Sequence, residues 1–427
     1  MEDVARSVRM SAMKENTTIY NDDCLSALEN IGAESIDCIV TDPPYELNFM
    51  GKGWDKAGVS FDKKTWEKCL NVLKPGGYLL AFGGSRTCHR IACAIEDAGF
   101  EIRDTIMWLY GSGFPKGMAL DKSLEAKLTT GNANKTEFHK LSGVQEDKHN
   151  YGFTTANKEQ GIRPKDYTTE GASNQYLKEL EPTTELAKKY KGWKTALKPS
   201  FEPIIVARKP FKGSLVDNVI EYGVGGINID ECRVGNEKLT NKGMSSLGVM
   251  HDDNWVSNKE VVNEVKGRFP ANTILTYDET DFEEVCGGFP NSKSGSATRY
   301  FYCAKASKRD RDEGLEGFSE KTKVFNGKSG ESSKEMKDVE QRFTTRLRNI
   351  HPTVKPTSLM QYLVRLVAPK GATILDPFMG SGSTGKAVMF ENKDRNADYK
   401  FIGIEKDPEY CKIAIARIKA AGGVYDE

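Results

Sequence analysis

The apolar run Ile36-Asp37-Cys38-Ile39-Val40 ends abruptly in Thr41-Asp42-Pro43-Pro44-Tyr45, and this ending limits the fold more tightly than any other stretch. A short apolar run bounded by turn residues reads as a buried strand of the kind found in sheets covered by helices. Two consecutive prolines fix φ and cannot continue a ladder, so the strand stops there and the carbonyls of Asp42 and Pro43 become free acceptors. Open α/β sheets bind ligands at the carboxyl ends of their strands. A carboxylate, a carbonyl and the flat ring of Tyr45 at such an end suit a planar molecule carrying an NH₂ group, since both of its N–H bonds need acceptors. A stiff turn capping a core strand would use the same residues, and this stretch alone leaves both readings open.

The flanking sequence supplies the sheet. Thr18-Ile19-Tyr20 predicts a strand and Cys24 to Leu28 the first turns of a helix, with Asp23 at its N-cap and equally placed to meet a ligand at the sheet edge. A helix over 65–73 is stopped by Lys74-Pro75-Gly76-Gly77, and Tyr78 to Phe82 forms the next strand. Ile91, Ile95 and Ala98 share one face of a helix ending at Gly99, and Ile102 to Tyr110 is again a strand. This alternation predicts an α/β fold, a doubly wound, mostly parallel Rossmann-like sheet. The glycines and aromatics of 48–55 suit a loop that closes over a bound ring, or an ordinary surface loop.

At 427 residues the chain has room for two domains or one domain with large insertions. Lys and Arg number 61 and Asp and Glu 61, so no global field draws a polyanion and any nucleic-acid surface must be local. Nine cysteines without a Cys-x-x-Cys suit a reducing compartment, and five dispersed histidines suggest no metal site. The N-terminus lacks a signal-peptide pattern and no apolar run approaches a membrane span, so a soluble, cytoplasmic protein is expected. From 113 to 199 the pattern gives way to a polar, partly mobile insertion ending in Lys188-Lys189-Tyr190-Lys191-Gly192-Trp193-Lys194, where cations alternate with aromatics. A solvated helix face is the commoner use of such a run. Residues 200–210 return as a sheet strand, and 211–346 form a second irregular region with short apolar pieces and basic clusters at Lys305, Lys308, Arg309 and Arg311 and at Arg342, Arg346 and Arg348.

Regular α/β sequence resumes in 347–427. Ala372-Thr373-Ile374-Leu375 is a strand running into Asp376-Pro377-Phe378-Met379-Gly380-Ser381-Gly382-Ser383-Thr384-Gly385, a glycine-rich turn that opens a helix. The next strand, Phe401 to Ile404, delivers Glu405 roughly 20 residues after the turn, the offset at which an acidic side chain grips ribose hydroxyls. Gly380 to Lys386 nearly spells a triphosphate-binding loop, which gives an ATP-dependent DNA-binding protein as the alternative from another class. That loop needs Ser or Thr after the lysine to hold Mg²⁺, and position 387 is Ala387. A cationic adenosine derivative fits better: Glu405 for the ribose, Asp376 for an ammonium and the Phe378 ring beside a sulfonium. Those features describe S-adenosylmethionine.

Asp42-Pro43-Pro44-Tyr45 resembles the Asp-Pro-Pro-Tyr motif of DNA amino-methyltransferases, and Asp376 to Gly382 resembles their Phe-x-Gly-x-Gly cofactor motif. His351-Pro352-Thr353-Val354-Lys355-Pro356 is similar to the short motif that precedes it. Catalytic motif first and cofactor motif last is the order of the beta group, and the likeness spans residues 17–112, 200–210 and 350–427, with Gly113 to Lys116, Gly267 to Asn272 and Tyr300 to Lys305 similar to a bacterial or prophage branch. The resemblance implies that residues 15–112 and 347–427 are the catalytic and cofactor-binding halves of one domain and that 211–346 recognise the target. It implies that Asp42 and the Pro43 carbonyl accept hydrogen bonds from an exocyclic amine, with Pro44 stiffening the turn and Tyr45 stacking on the base. Phe378, Gly380 and Gly382 would shape the cofactor turn, Asp376 and Glu405 would hold the ammonium and ribose, Asp23 the adenine end, and Thr353 and Lys355 the methionine portion. The turn continues Gly-Ser-Thr where Gly-Thr-Thr is commoner.

The implied reaction is direct methyl transfer to adenine N6 in double-stranded DNA, with cytosine N4 as the alternative, since Asp as first motif letter goes with adenine in that family. No enzyme-bound intermediate is needed, and no Pro-Cys dipeptide is present for attack at cytosine carbon 5. The target base must leave its stack, at a cost of a few kcal/mol. A homodimer and an accompanying restriction endonuclease are compatible with the resemblance, and no sequence feature shows either.

Overall fold

Apolar runs and turn residues fix most of the elements. The computed structural model describes residues 16–47, 58–110, 117–131, 182–243, 261–276, 301–324 and 344–424. The loop at 48–55 and the stretches 113–116 and 132–135 lie outside them, as do Tyr300 and Arg342. β1 (Thr17–Tyr20), α1 (Cys24–Glu29), β2 (Ile36–Thr41), α2 (Lys63–Val72), β3 (Leu73–Phe82), α3 (Cys88–Asp97) and β4 (Glu101–Tyr110) alternate as expected. Then come α4 (Leu120–Thr130), α5 (Glu185–Lys189), β5 (Phe201–Arg208), α6 (Leu215–Tyr222), β6 (Val234–Gly243), β7 (Val261–Arg268), β8 (Thr273–Thr276), β9 (Phe301–Tyr302) and α7 (Lys308–Asp312). The chain closes with β10 (Lys321–Val324), β11 (Thr344–Leu347), α8 (Thr357–Val367), β12 (Thr373–Asp376), α9 (Ser383–Arg395), β13 (Lys400–Ile404) and α10 (Pro408–Ala420).

Local chemistry explains the boundaries. Asp23 caps α1 by accepting from the Leu25 N–H at 3.0 Å, and Asp407 caps α10, where Pro408 occupies the first turn. β3 begins at Leu73, earlier than the expected Tyr78, because the chain at Gly76, with φ of +80°, and Gly77 pairs with the chain beyond β5: the Gly76 N–H donates to the Lys209 carbonyl at 3.0 Å and the Lys209 N–H to the Gly77 carbonyl at 2.9 Å.

The main sheet runs β1-β13-β12-β2-β3-β5-β4-β8-β9. Its first five strands are mutually parallel, β5 lies antiparallel between β3 and β4, and β8 and β9 add parallel strands beyond β4. Helices cover both faces. Cys38, Val40, Leu80, Phe82, Ile204 and Ile374 pack against α8, α9 and α10 on one side. Ile36, Ile39, Leu79, Ala81 and Leu375 pack against α1, α2 and α3 on the other. Each of the Val, Ile, Leu and Phe side chains among these contributes about 1.5–3 kcal/mol on burial. The doubly wound Rossmann-like sheet is therefore the fold, and two pieces of the second irregular region, β8 and β9, extend it instead of standing apart.

The sense in which the chain steps across the sheet reverses between the parallel neighbours β12 and β2. From β12 the chain steps outward to β13 and from β2 to β3, and open α/β sheets bind ligands at the carboxyl ends of the strands at such a switch point. β6 with β7 and β10 with β11 form small antiparallel pairs.

Residues 113–199 form a unit of their own. Its described part holds a helix that the polar sequence does not announce, α4, fixed by a distant contact. Glu125 accepts from the Thr183 and Thr184 backbone N–H groups at 3.1 and 3.0 Å and from both hydroxyls. Burial opposes the charge, yet these four bonds hold the carboxyl down at about 2. In the Lys188 to Lys194 stretch, Tyr190 and Trp193 meet edge to face at 5.4 Å and Trp193 is 62% exposed. Among the described residues no helix is long and apolar enough to cross a membrane.

Candidate active site

Four neighbouring strands deliver the sequence-predicted residues to one rim: β1 leads to Asp23, β13 to Glu405, β12 to Asp376 and the glycine turn, and β2 to Asp42 and Tyr45. The two motifs, separated by most of the chain, touch. The Thr41 hydroxyl, last residue of β2, donates to Asp376 Oδ1 at 2.6 Å.

On the β2 side, Asp42 is the pivot. Its Oδ2 accepts from the Lys355 ammonium at 2.6 Å, while its Oδ1 is buried without a hydrogen-bond partner. Burial raises the carboxyl above its ordinary value and Glu202 adds to that, with Lys355 opposing. The Tyr45 hydroxyl donates to Glu202 Oε2 at 2.8 Å and accepts from Lys355 at 3.2 Å. Burial, then Asp42 and Glu202, push that phenol well above the usual tyrosine range, so it stays protonated. Its ring is seated because Gly84 has no Cβ: one built there would lie 3.1 Å from Tyr45 Cδ2. Pro43 is buried, and the Pro44 carbonyl accepts from the Ser60 hydroxyl at 2.5 Å, which fixes the turn.

Lys355 does more here than its motif suggests. The Ser383 hydroxyl donates to its carbonyl at 3.0 Å, so its backbone adjoins the start of α9, but its ammonium crosses to Asp42 and Glu202, the latter at 3.3 Å. It was expected at the methionine portion of the cofactor, and the structure puts its charge against Asp42. Burial disfavours that charge, yet the two carboxylates hold its pKa above the ordinary lysine value. Phe82 and Tyr45 present ring faces to it at 4.9 and 5.3 Å. Thr353, from the same motif, is exposed.

On the β12 side, Asp376 is closed off by internal donors. Thr41 holds Oδ1 and Thr384 holds Oδ2 at 2.5 Å, while the Phe378 N–H adds a bond at 3.1 Å. Burial still lifts the carboxyl to about 6. It was expected to accept an ammonium, and here it braces the turn. Phe378 is partly buried beside Trp66, at 6.4 Å between centroids. Gly380 and Gly382 have φ of +54° and +77°, conformations that disfavour a side chain. A Cβ on Gly380 would meet His351 Nε2 at 2.9 Å, and one on Gly382 would meet Ala414 Cα at 3.0 Å. His351 of the short motif therefore lies on the glycine turn. Glu405 accepts from the Gly380 N–H at 2.8 Å and the Asp407 N–H at 2.7 Å, and burial raises it to about 7 against those bonds. Asp23 caps α1 and accepts from Lys406 at 3.1 Å.

This donor set fits S-adenosylmethionine. Glu405 and Asp376 hydrogen-bond to the turn, Asp23 follows the neighbouring strand end, and the cation of the phosphate-loop reading is taken up by other carboxylates. Lys386 is 1% exposed and donates to Asp310 Oδ1 at 2.9 Å, with Glu313 at 2.8 Å. Arg417, fully buried, ties the Ser381 and Asp310 carbonyls together from behind. A triphosphate would meet carboxylates there, whereas a sulfonium is matched by them.

Sequence reasoning passed over Glu202, which it read only as part of a strand, and Asp310, which lay in an irregular stretch. Part of the first basic cluster is spent internally, since Arg311 donates to the His351 carbonyl at 3.0 Å. Lys305 lies 5.3 Å from the Tyr110 ring, at the edge of the same rim.

The family model for N6/N4 DNA methylases matches residues 36–416. The type II methyltransferase M.HindIII of Haemophilus influenzae is 21% identical over 446 aligned positions covering 94% of each chain. The type II methyltransferase M2.LlaDCHI of Lactococcus lactis subsp. cremoris is 32% identical over 115 residues, 22% of this chain and 42% of that relative. A solved structure of PvuII DNA methyltransferase, cytosine-N4-specific, is 14% identical with a TM-score of 0.41, over 96% of this chain and 95% of its own. With the match spanning residues 36–416, well over half of its length, the chain belongs to the N6/N4 DNA methylase family, whose methyl donor is S-adenosylmethionine.

Proposed function

We propose that this chain is a site-specific DNA methyltransferase acting on the exocyclic N6 amine of adenine in a base turned out of the duplex. One observation carries the reading: the unpartnered Asp42 Oδ1 stands at the carboxyl end of β2, next to the glycine turn of β12. A buried acceptor without a donor is costly in a resting protein, about 1–3 kcal/mol, and is relieved when a ligand supplies an N–H.

An exocyclic amine is a weak nucleophile because its lone pair is delocalised into the ring. Asp42 Oδ1 and the Pro43 carbonyl accept its two N–H bonds and favour the pyramidal nitrogen that develops as it attacks. Tyr45 supplies a face for the extruded base, its hydroxyl pinned by Glu202 and Lys355 so that the ring is already oriented. Asp42 and Glu202 together outnumber the Lys355 charge, which suits the positive charge that grows on the amine. S-adenosylmethionine supplies an electrophilic methyl group; the Phe378 to Gly382 turn, Glu405 and Asp23 would hold it, with Asp376 bracing the turn and Thr353 at its open side. Residues 211–346 are proposed to read the DNA sequence, with Lys305 beside Tyr110 at the edge of the site. Adenine is favoured over cytosine because the motif begins with Asp42.

The test is nucleoside mass spectrometry after incubating unmethylated duplex DNA with the protein and deuteromethyl-labelled S-adenosylmethionine. Labelled N6-methyladenine is expected. Labelled N4-methylcytosine alone would transfer the reading to cytosine, and no labelled nucleoside would overturn it.

A further inference from the structure

The buried polar cluster at the mouth of β2 contains one more charge than the reaction strictly requires. Glu202, on antiparallel β5, accepts from the Tyr45 hydroxyl at 2.8 Å, from the Tyr110 hydroxyl at 3.4 Å, and pairs with Lys355 at 3.3 Å. Lys355 is simultaneously on Asp42 at 2.6 Å, and the Lys355, Asp42 and Glu202 side chains are 8%, 18% and 21% exposed. Without Glu202 the ammonium and Asp42 would form a closed neutral pair. An acceptor whose charge is cancelled by a lysine at hydrogen-bond distance polarises an amine weakly.

We propose that Glu202 is a positioning residue for methyl transfer, sharing the Lys355 ammonium and anchoring the Tyr45 hydroxyl so that Asp42 is not neutralised by Lys355, stays a strong acceptor and keeps an open Oδ1 for the target amine. The role rests on the reading of Asp42 as the amine acceptor. It also explains why a carboxylate stands in a strand whose neighbours Ile204, Ile205, Val206 and Ala207 are all buried and apolar. β5 is antiparallel, so its amino end reaches the rim where the parallel strands deliver their carboxyl ends: Ile204 pairs with Phe82 and Glu202 with Trp108. The groups facing Asp42 are Lys355, Glu202, Tyr45 and, across β12, Asp376; Tyr110 and Lys305 stand behind Glu202. Burial is the chief influence raising the Asp42 carboxyl, and Glu202 reinforces it. Removing the Glu202 charge therefore lowers the Asp42 pKa while weakening the acceptor.

Glu202→Gln and Glu202→Asp are compared with the native chain in single-turnover methyl transfer across pH, with affinities for donor and DNA measured separately. Carboxyl ¹³C resonances of the cofactor-free protein follow Asp42 directly. For Glu202→Gln the expected result is a rate roughly 10- to 100-fold lower with both affinities held within about 2-fold. The Asp42 midpoint and the acid limb of the rate profile both move to lower pH. Glu202→Asp, which keeps the charge, regains part of the rate and restores the midpoint. A native rate and unmoved midpoint in Glu202→Gln, or a loss of rate that follows thermal unfolding in both variants, would overturn the role. If the native chain methylates DNA and Asp42→Ala abolishes it, such a result removes Glu202 alone. If the native chain transfers no methyl group, the reading of Asp42 falls and this role with it.

Discussion

Two aspartates end adjacent strands of the same sheet and are treated in opposite ways. Asp376, at the end of β12, has Thr41, Thr384 and the Phe378 N–H on its two oxygens and is 2% exposed. Asp42, just past the end of β2, has Lys355 on one oxygen and nothing on the other. Under the proposed function, one rim thereby separates support at Asp376 from reaction at Asp42. A carboxylate whose acceptor sites are filled by its own chain holds a turn in shape, and one with an open site waits for a donor from outside.

The contrast predicts a double dissociation, and activity is its larger half. Asp42→Ala should lower single-turnover methyl transfer by roughly 10³-fold while donor affinity stays near native and stability shifts by no more than about 1 kcal/mol, because Glu202 still pairs Lys355. Retained turnover would erase the distinction between the two carboxylates. Asp376→Ala should instead destabilise the fold by about 2–4 kcal/mol in denaturant titration, since two buried hydroxyls and an N–H lose their acceptor. An unchanged midpoint would show that the brace is idle.

A smaller effect tests whether the braced turn is also the donor's cradle. Gly382→Val places a side chain at φ +77° against Ala414 and should cost about 1–3 kcal/mol, with weaker S-adenosylmethionine binding in calorimetry. Native affinity would detach the turn from the cofactor.

The smallest effect concerns Glu405, raised by burial to about 7. Its folded form binds a proton more tightly than the unfolded chain, whose carboxyl titrates near about 4.3. The stabilisation is therefore complete below that value and is lost as pH rises through about 7. Ribose hydroxyls and a sulfonium favour the ionised carboxylate, so donor binding at pH 6 should release protons, measurable by calorimetry in two buffers of different ionisation enthalpy. Proton uptake would contradict this placement of Glu405.

What the sequence made legible follows physical range. Asp42, Tyr45, Asp376, Gly380 and Glu405 lie within a few residues of apolar strands that announce themselves, and a doubly wound sheet puts all such ends on one rim. Lys355 could be found by its motif, yet the direction of its ammonium depends on β2 and β5, more than a hundred residues away in each case. Glu202 was hidden by its setting: Phe201 to Arg208 reads as one more core strand, and only the antiparallel insertion of β5 brings its first turn of sequence to the mouth. α4 was unreadable for the same reason, since its Glu125 is satisfied by Thr183 and Thr184 far down the chain. Lys386 was the opposite case, a motif letter correctly doubted on Ala387 and then found facing Asp310.

The most direct test of the account is a structure of the ternary complex with duplex DNA and a non-transferring analogue of the methyl donor. An adenine is expected outside the helix with its exocyclic nitrogen within about 3.2 Å of Asp42 Oδ1, its ring on Tyr45, and the donor seated on the Phe378 to Gly382 turn. A target base bound elsewhere, with Asp42 Oδ1 still unpartnered, would contradict it.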